Sequence, residues 1–309
     1  MTTLTARLQL GEPVEHRGIV LAPLFPRSQP RAAYVTLDEA LPLGFRVTEV
    51  SVAGSVPELL VRNPLDAAVL LYDGEELVGA KQNRILNLSV LVPAWSETVI
   101  AVSCVEQGRW SARSVAFSAA RHAAHPELRR VKAEVLLARD NAQHEVWNAV
   151  SAKAMRLGAF SPTGAQADVF ASRERDLAAL RGAFPLEPGQ AGAVLALGPE
   201  LLCLDYVSRP EAFEHLYRKL LDGYLLDAIE HLDVAPAEAG RLEGFVGAVT
   251  AAPRRRQPSA GLGEDVRVAA DGVVGSGLEL DGELVQVSAF TSEKTARASR
   301  LARPSRRRA

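Results

Sequence analysis

The sequence predicts an α+β fold in which an antiparallel β-sandwich or barrel-like sheet carries an inserted helical layer and a further β-hairpin plus helix. Three observations predict this fold class. From Gly18 to Trp110, apolar residues alternate with polar ones and turn residues recur between the segments. From Ser118 the apolar spacing becomes that of helices. Alternating segments then return after Asp265.

The N-terminal β-rich part, residues 11–117, contains the clearest strand patterns. Asp73-Gly74 lies between two apolar runs and is the strongest hairpin signal in the chain, because these residues tolerate the positive φ angles of tight turns. We therefore expect the strands on either side of this dipeptide to pair. Glu75 and Glu76 would then lie just beyond the turn.

Helical spacing dominates the middle of the chain. Residues 118–185 predict a helical insert, in which Pro126 is suited to the first position of a helix. Residues 190–234 predict a hairpin that turns at Gly198-Pro199 and is followed by a helix. The apolar stripe expected on that helix consists of Phe213, Leu216, Leu220, Tyr224 and Ala228.

Strand patterns return in residues 264–290, after an arginine-rich loop at 254–263. Asp281-Gly282 is the expected hairpin turn of this second β-rich part. We expect these strands to complete the N-terminal sheet, so that residues 1–290 form a single discontinuous α+β domain. Residues 291–309 are basic and have little to bury, which predicts a disordered tail.

Composition places the 309-residue chain among ordinary globular proteins, with 48% hydrophobic and 23% charged residues. A formal charge of −2 gives no global field for polyanions, so nucleic acid is a disfavoured partner. Cys104 and Cys203 are too few for a disulfide framework. Residues 1–12 lack the apolar core of a signal peptide, and no apolar run reaches the ~18 residues of a membrane span. We expect a cytoplasmic protein without a membrane partner.

The stretch from Tyr72 to Trp110 carries more polar side chains than its short apolar strands require, and the sequence predicts the functional site there. Carboxylates that are held together and partly desolvated can act as general acids and bases. Cationic and amide donors beside them suit a ligand with phosphate or several hydroxyl groups. The candidate catalytic residues are Glu75, Glu76 and Glu106, and the candidate ligand-binding residues are Lys81, Gln82, Arg84, Arg109 and Trp110.

Cys104 is a candidate nucleophile in the same stretch, because a nearby cation such as Arg109 can stabilise a thiolate. On a buried strand, however, cysteine behaves as a small hydrophobe, and no histidine is close in sequence to act as its base. We favour a packing role for Cys104. His122 and His125 have no third ligand at a recognisable spacing, so no metal site is predicted.

Two long motifs in this region resemble a known family. Asp73 to Arg84 and Val102 to Trp110 look like the corresponding segments of the prokaryotic ARG and rhodanese-phosphatase-superfamily-associated protein domain. The resemblance extends from Gly11 to Phe290. Its name records an association with ADP-ribosylglycohydrolase-type proteins, which implies a link to ADP-ribose or NAD metabolism. It identifies no cofactor and no catalytic residue, and Gln286 stands where the family pattern has a histidine.

The polar stretch and the resemblance together predict an enzyme or enzyme-like domain that acts on or binds a nucleotide-like small molecule related to ADP-ribose or NAD. A hydrolase and a transferase both stay open, and so does a homo-oligomer. The alternative is a non-catalytic binding or scaffold protein whose polar cluster is a satisfied buried network. RNA association through the arginine-rich segments is a weaker third hypothesis, because these segments lack interleaved aromatic residues.

Overall fold

Antiparallel strands from both ends of the chain build the fold, and the computed structural model describes residues 8–138, 142–198, 201–237 and 239–292. The strands within these ranges are β1 (Leu8–Leu10), β2 (Val14–His16), β3 (Ile19–Pro26), β4 (Tyr34–Thr36), β5 (Arg46–Glu49), β6 (Glu58–Asn63), β7 (Ala68–Leu71), β8 (Glu75–Gly79), β9 (Arg84–Leu86), β10 (Val90–Val92), β11 (Ser96–Cys104), β12 (Phe117–Ala123), β13 (Gly192–Leu197), β14 (Leu201–Val207), β15 (Arg254–Pro258), β16 (Glu264–Ala270), β17 (Val273–Leu280) and β18 (Glu283–Thr291). The α-helices are α1 (Leu37–Ala40), α2 (Pro126–Ala138), α3 (Gln143–Arg156), α4 (Gln166–Ser172), α5 (Glu174–Arg181), α6 (Pro210–Ala228) and α7 (Ala239–Ala251).

The largest sheet combines strands that are far apart in the sequence. It has nine strands in the order β1-β3-β13-β14-β18-β17-β16-β15, with β2 paired to β3. The β13–β14 hairpin therefore lies between the N-terminal strands and the C-terminal ones. Asp281 and Gly282 have φ angles of 50° and 74° at the β17–β18 connection, as the paired positive φ angles of a tight hairpin turn require.

Each face of the nine-stranded sheet has its own core, because side chains alternate along a strand. Ala193, Leu195 and Leu197 of β13 pack on the same side as α6, whereas Val194 and Ala196 pack on the side of α7. The apolar stripe predicted on α6 is buried in the first of these cores, from Phe213 to Ala228. The two helices thus cover opposite faces of the sheet.

Two smaller sheets position the polar stretch. One has six strands in the order β12-β8-β9-β11-β6-β5, and the other has three in the order β10-β7-β4. The β4–β7 pair is parallel. A third core lies between these sheets and includes Leu37 of α1, Val61, Val69 and Leu86. Helices α2 and α3 pack over Ile85 and Val105 in a fourth core.

This architecture confirms the predicted α+β class, in which sheet-based cores are combined with helical layers. The hairpin of β13 and β14 followed by α6 also matches the prediction. The division of the chain into domains stays a prediction. Among the described helices, none combines the length and the apolar character needed to cross a membrane.

The predicted hairpin at Asp73-Gly74 is wrong. The turn itself exists, since the Glu75 N–H donates to the Tyr72 carbonyl oxygen over 3.0 Å and Gly74 has a φ of 82°. However, β7 pairs with β10 and β4, whereas β8 pairs with β9 and β12. The turn therefore leads the chain from one sheet into another. Tertiary contacts at the turn residues decide the outcome, which local turn chemistry alone does not encode.

Three smaller differences concern segment boundaries. Residues 117–123 form β12 and pair with β8, so the helical part begins at Pro126 and not at 118. Residues 254–258 form the edge strand β15 instead of a loop. Strand β18 extends to Thr291, and the rest of the predicted basic tail, residues 293–309, lies outside the described part of the chain.

Gly74→Ala should lower the free energy of unfolding by about 2 to 3 kcal/mol, through left-handed backbone strain and a steric clash. A Cβ atom at this position would lie 2.7 Å from Arg129 Cδ and 2.8 Å from Arg129 Nε. Gly282→Ala is the matched control, because Gly282 has a φ of 74° and no atom within 4 Å of the added Cβ. Urea denaturation of both variants separates the two contributions. Equal losses would contradict the clash with Arg129.

Candidate functional site

The predicted site residues are close in sequence but occupy several different surroundings. Glu75, Glu76, Gln82, Arg84, Glu106 and Arg109 are buried, Lys81 is partly exposed and Trp110 is exposed. Most of the buried carboxylates and cations are already hydrogen-bonded within the protein. The Arg84 guanidinium is the exception, because only one of its three nitrogen atoms has hydrogen-bond partners among the described residues.

Arg84 begins β9 and lies opposite Cys104 of β11 in the strand register. Arg84 is fully buried, with 0% of the residue exposed. Nη1 donates to Gln82 Oε1 over 3.0 Å and to the Asn83 carbonyl oxygen over 3.4 Å. Nε and Nη2 are buried and have no hydrogen-bond partner among the described residues. Burial lowers the pKa of Arg84, against the opposing influence of Cys104 and Glu49.

Trp110 and Lys81 form the open side of this arrangement. The Arg84 guanidinium carbon lies 5.7 Å from the centre of the Trp110 ring, and Lys81 Nζ lies 5.2 Å from it. Trp110 is 48% exposed, so its ring connects the buried guanidinium to solvent. Two cations beside one accessible aromatic ring can receive an anion together with a flat ring system.

Cys104 lies next to Arg84 as a buried thiol. Burial raises the pKa of Cys104, and this effect outweighs the Arg84 charge and the Trp147 indole, which both favour the thiolate. The sulfur accepts a hydrogen bond from the Glu106 N–H over 3.3 Å. A buried thiol with a raised pKa is a poor nucleophile, which favours a packing role.

Glu106 and Arg109 form a saturated ion pair. Arg109 Nε and Nη2 donate to the Glu106 carboxylate over 2.8 and 2.6 Å. The same carboxylate accepts from the Asn83 N–H and the Thr163 hydroxyl, each over 3.0 Å. Burial would raise the pKa of Glu106, but these donors lower it overall. Arg109 Nη1 also donates to the Ala80 carbonyl oxygen. The pair therefore ties three chain segments together.

Glu75 and Glu76 bind partners from different elements, because adjacent strand residues face opposite sides. Glu75 Oε1 accepts from Lys219 Nζ of α6 over 2.8 Å. Glu76 Oε2 accepts from Gln166 Nε2 over 2.6 Å and lies 2.8 Å from His122 Nε2. The two carboxylates do not converge on one substrate position. Their catalytic roles, like that of Glu106, stay predictions.

An open cleft of about 260 Å³ lies between α3 and the segment that follows it. Trp147, Met155 and Phe160 line it, and Gln107 contributes a polar edge. Met155 is 75% exposed and Phe160 84% exposed. Trp147 also influences the pKa of the Cys104 thiol, although its Nε1 has no hydrogen-bond partner among the described residues. The cleft can accept an apolar or aromatic part of a ligand.

Glu49, at the end of β5, is a site residue that sequence reasoning missed. Its Oε1 accepts a hydrogen bond from the Lys81 N–H over 3.2 Å. Its Oε2 is buried without a partner among the described residues. No local signal marked it, because an acidic residue at the end of an exposed strand pattern is common.

A second group of charges lies between α3 and α6 and includes a set of ligand atoms with metal-like spacing. The set comprises His125, Glu127 and Asp227, whose candidate ligand atoms lie within 4.8 Å of one another. However, Lys153 Nζ lies 2.8 Å from Asp227 Oδ1 and 2.9 Å from Glu127 Oε2. The ammonium therefore provides the positive charge that these carboxylates require.

Comparison with curated proteins and with solved structures finds no match to the chain. The family resemblance of the two motifs is confirmed by a family model that spans most of the sequence. The match covers residues 7–290 of the chain, and on this ground the chain belongs to the family of the ARG and Rhodanese-Phosphatase-superfamily-associated Protein domain.

Proposed function

We propose that this protein binds a nucleotide-like anion of the ADP-ribose or NAD class at the surface formed by Arg84, Lys81 and Trp110. The buried Arg84 guanidinium carries the proposal. It is 0% exposed, yet two of its nitrogen atoms have no partner among the described residues. A phosphate group would supply both the missing acceptors and the missing negative charge.

The cost of burying Arg84 makes a purely structural role unfavourable. A buried charge without full pairing destabilises a folded protein, and natural sites retain such groups where function requires them. Arg109, by contrast, is fully engaged with Glu106 and nearby carbonyl oxygens. This difference between the two arginines supports the proposal that Arg84 binds a ligand and that Arg109 has a structural role.

The surroundings of Arg84 suit the remaining parts of a nucleotide. The exposed Trp110 ring can stack on a base, and Lys81 adds a second cation beside it. We propose binding as the function, since Glu75, Glu76 and Glu106 are each engaged by protein donors.

Arg84→Met should abolish binding of ADP-ribose and NAD while leaving the melting temperature unchanged or raising it. The loss of binding follows from removal of the phosphate partner, and the gain in stability from removal of an underpaired buried charge. Isothermal titration calorimetry and thermal denaturation measure the two effects. Arg62→Met is the matched control, because Arg62 is an exposed arginine paired with Glu97 on the surface.

Two outcomes would overturn this function. One is the absence of heat when the wild-type protein is titrated with ADP-ribose, NAD and inorganic pyrophosphate. The other is an Arg84→Met variant that melts earlier than the wild type and binds with equal affinity.

A scaffold role is the second candidate, and the Glu106–Arg109 pair is the observation that favours it. Its carboxylate and guanidinium are both buried and satisfied by several hydrogen bonds, as expected for a network that fixes loop positions. Under this role no nucleotide binds, and Arg84→Met lowers the melting temperature.

A further inference from the structure

A second underpaired group lies beside Arg84. Glu49 Oε2 is buried and has no hydrogen-bond partner among the described residues. Glu49 and Arg84 carry opposite charges and influence each other electrostatically. No ion pair within 4.0 Å joins these two side chains, although both are in the described part of the chain. The Glu49 carboxylate therefore lacks a hydrogen-bond donor and the Arg84 guanidinium lacks acceptors, although the two side chains are chemically able to pair.

Gly54 shows that Glu49 belongs to the site of Trp110 and Lys81. A Cβ atom on Gly54 would lie 3.2 Å from Glu49 Oε2, 3.1 Å from Lys81 Cδ and 3.4 Å from Trp110 Cζ2. Three different side chains thus meet at one glycine. The Trp110 ring that contacts this point also faces the Arg84 guanidinium. Glu49 and Arg84 therefore both lie near the Trp110 ring.

The missing partners of the two groups differ in kind. The carboxylate of Glu49 needs a hydrogen-bond donor, and the guanidinium of Arg84 needs an anionic acceptor. Inorganic phosphate or pyrophosphate offers mainly acceptors. A sugar phosphate offers both, since its hydroxyl groups donate and its phosphate accepts. Carboxylates are the usual partners of ribose hydroxyls in dinucleotide sites of other folds.

We infer that Glu49 binds a ring hydroxyl of the ligand whose phosphate lies on Arg84, so that the site selects a sugar phosphate over a bare polyphosphate. This rests on the proposed function and specifies the chemical class of its ligand. Lys81 contacts both Glu49 and Trp110. Its backbone N–H donates to Glu49 Oε1, and its ammonium lies over the Trp110 ring. Glu49 is thereby kept in place before the ligand arrives.

The test compares ADP-ribose with inorganic pyrophosphate on the wild type and on Glu49→Gln by calorimetry. We expect the substitution to weaken ADP-ribose about 10-fold or more, because a charge-assisted hydrogen bond to the sugar is lost. Pyrophosphate should bind Glu49→Gln as well as or better than the wild type, since a negative charge near it has been removed. Glu97→Gln is the control, because Glu97 is exposed and paired with Arg62.

The outcomes separate this inference from the proposed function. If the wild type binds neither probe, the proposed function fails. If it binds both and Glu49→Gln changes them equally or not at all, the inference about Glu49 fails while Arg84 keeps its role. If Glu49→Gln melts at a lower temperature with unchanged affinities, Glu49 is a structural counter-ion to the cations around it, and the inference is overturned.

Discussion

Asp205→Asn should lower the free energy of unfolding by about 3 to 5 kcal/mol, because it removes the charged carboxylate that accepts from both Nη atoms of the buried Arg129 and leaves only the longer ion pair with Asp73 at 3.6 Å among the described residues. Arg129 Nη1 and Nη2 donate to the two oxygens of Asp205 over 2.9 and 2.7 Å. Both residues are 0% exposed. Water cannot replace the lost charge at such a depth. Equilibrium denaturation in urea measures the loss.

Asp205 has further donors that make its removal costly. The Tyr72 hydroxyl donates to Oδ1 over 2.6 Å, and the Tyr224 hydroxyl donates to Oδ2 over 2.7 Å. Arg129 Nη2 also donates to the Ser288 hydroxyl over 2.7 Å. These residues come from the β7–β8 connection, α2, β14, α6 and β18. One carboxylate therefore joins the small sheets to the large sheet and its helices.

Two comparison variants make this expectation specific. Asp66→Asn changes an exposed aspartate and should stay within about 0.5 kcal/mol of the wild type. The double variant Asp205→Asn with Arg129→Met should recover part of the loss, because it also removes the buried guanidinium whose closest charged partner is lost. A loss of less than about 1 kcal/mol for Asp205→Asn alone would contradict the buried-pair account.

The same carboxylate should contribute to acid unfolding. Burial would raise the pKa of Asp205, but Arg129 and the two tyrosine hydroxyls lower it to about 2, below the ordinary aspartate value of about 3.9. A carboxyl group with a lowered folded-state pKa adds stability above its unfolded pKa and loses it as the pH falls through the folded pKa. The stability that the Asp205 carboxylate contributes should therefore be lost as the pH falls from about 4 to about 2. Asp205→Asn should lack this part of the pH dependence in denaturation measurements.

The sequence predicted those parts of the fold that local patterns decide. The stripe on α6 follows from helical spacing, and the Asp281-Gly282 turn follows from the need for positive φ angles. At Asp73-Gly74 the turn was found but the pairing was wrong. There the neighbouring polar residues are engaged from afar, since Lys132 of α2 binds Asp73 and Lys219 of α6 binds Glu75. Contacts between residues more than fifty positions apart in the sequence are not encoded in a local sequence pattern.

For the candidate site, the sequence predicted the region but not which of its charged side chains are paired within the protein and which are not. Alternation along β8 separates Glu75 from Glu76, but the pattern does not say which partners they find. Arg84 and Arg109 look alike in the sequence, and their different hydrogen bonding appears only when β9, β11 and the loops pack together. Glu49 reaches the site from β5, more than thirty residues before Lys81 in the chain. The cluster therefore contains both a satisfied buried ion pair, Glu106–Arg109, and a guanidinium, that of Arg84, with two nitrogen atoms unpartnered among the described residues.

Lys153→Met should cost about 3 to 5 kcal/mol of unfolding free energy, as expected when one member of a buried ion pair is removed. Burial would lower the pKa of Lys153, but Asp227, Glu127 and Glu230 raise it overall. Lys153 is 2% exposed and Asp227 1% exposed, so their charges are poorly solvated. Without the ammonium, Arg156 is the arginine that still pairs with Glu127 and Glu230 among the described residues, and the His125 ring lies beside Asp227. Arg156→Met is the control, because its side chain is 42% exposed and should cost less.

Lys153→Ala should in turn bind Zn²⁺ more tightly than the wild type does. The candidate ligand atoms of His125, Glu127 and Asp227 already lie within 4.8 Å of one another, and imidazole and carboxylate are ligands that Zn²⁺ accepts. In the wild type the ammonium lies among these carboxylate oxygens, so a cation would have to displace it. Zinc should therefore raise the melting temperature of Lys153→Ala and leave that of the wild type unchanged. The control is the double variant Lys153→Ala with His125→Ala, in which the effect of zinc should disappear. An equal shift in all three proteins would mean that zinc binds elsewhere and that the ammonium does not take the place of a metal ion.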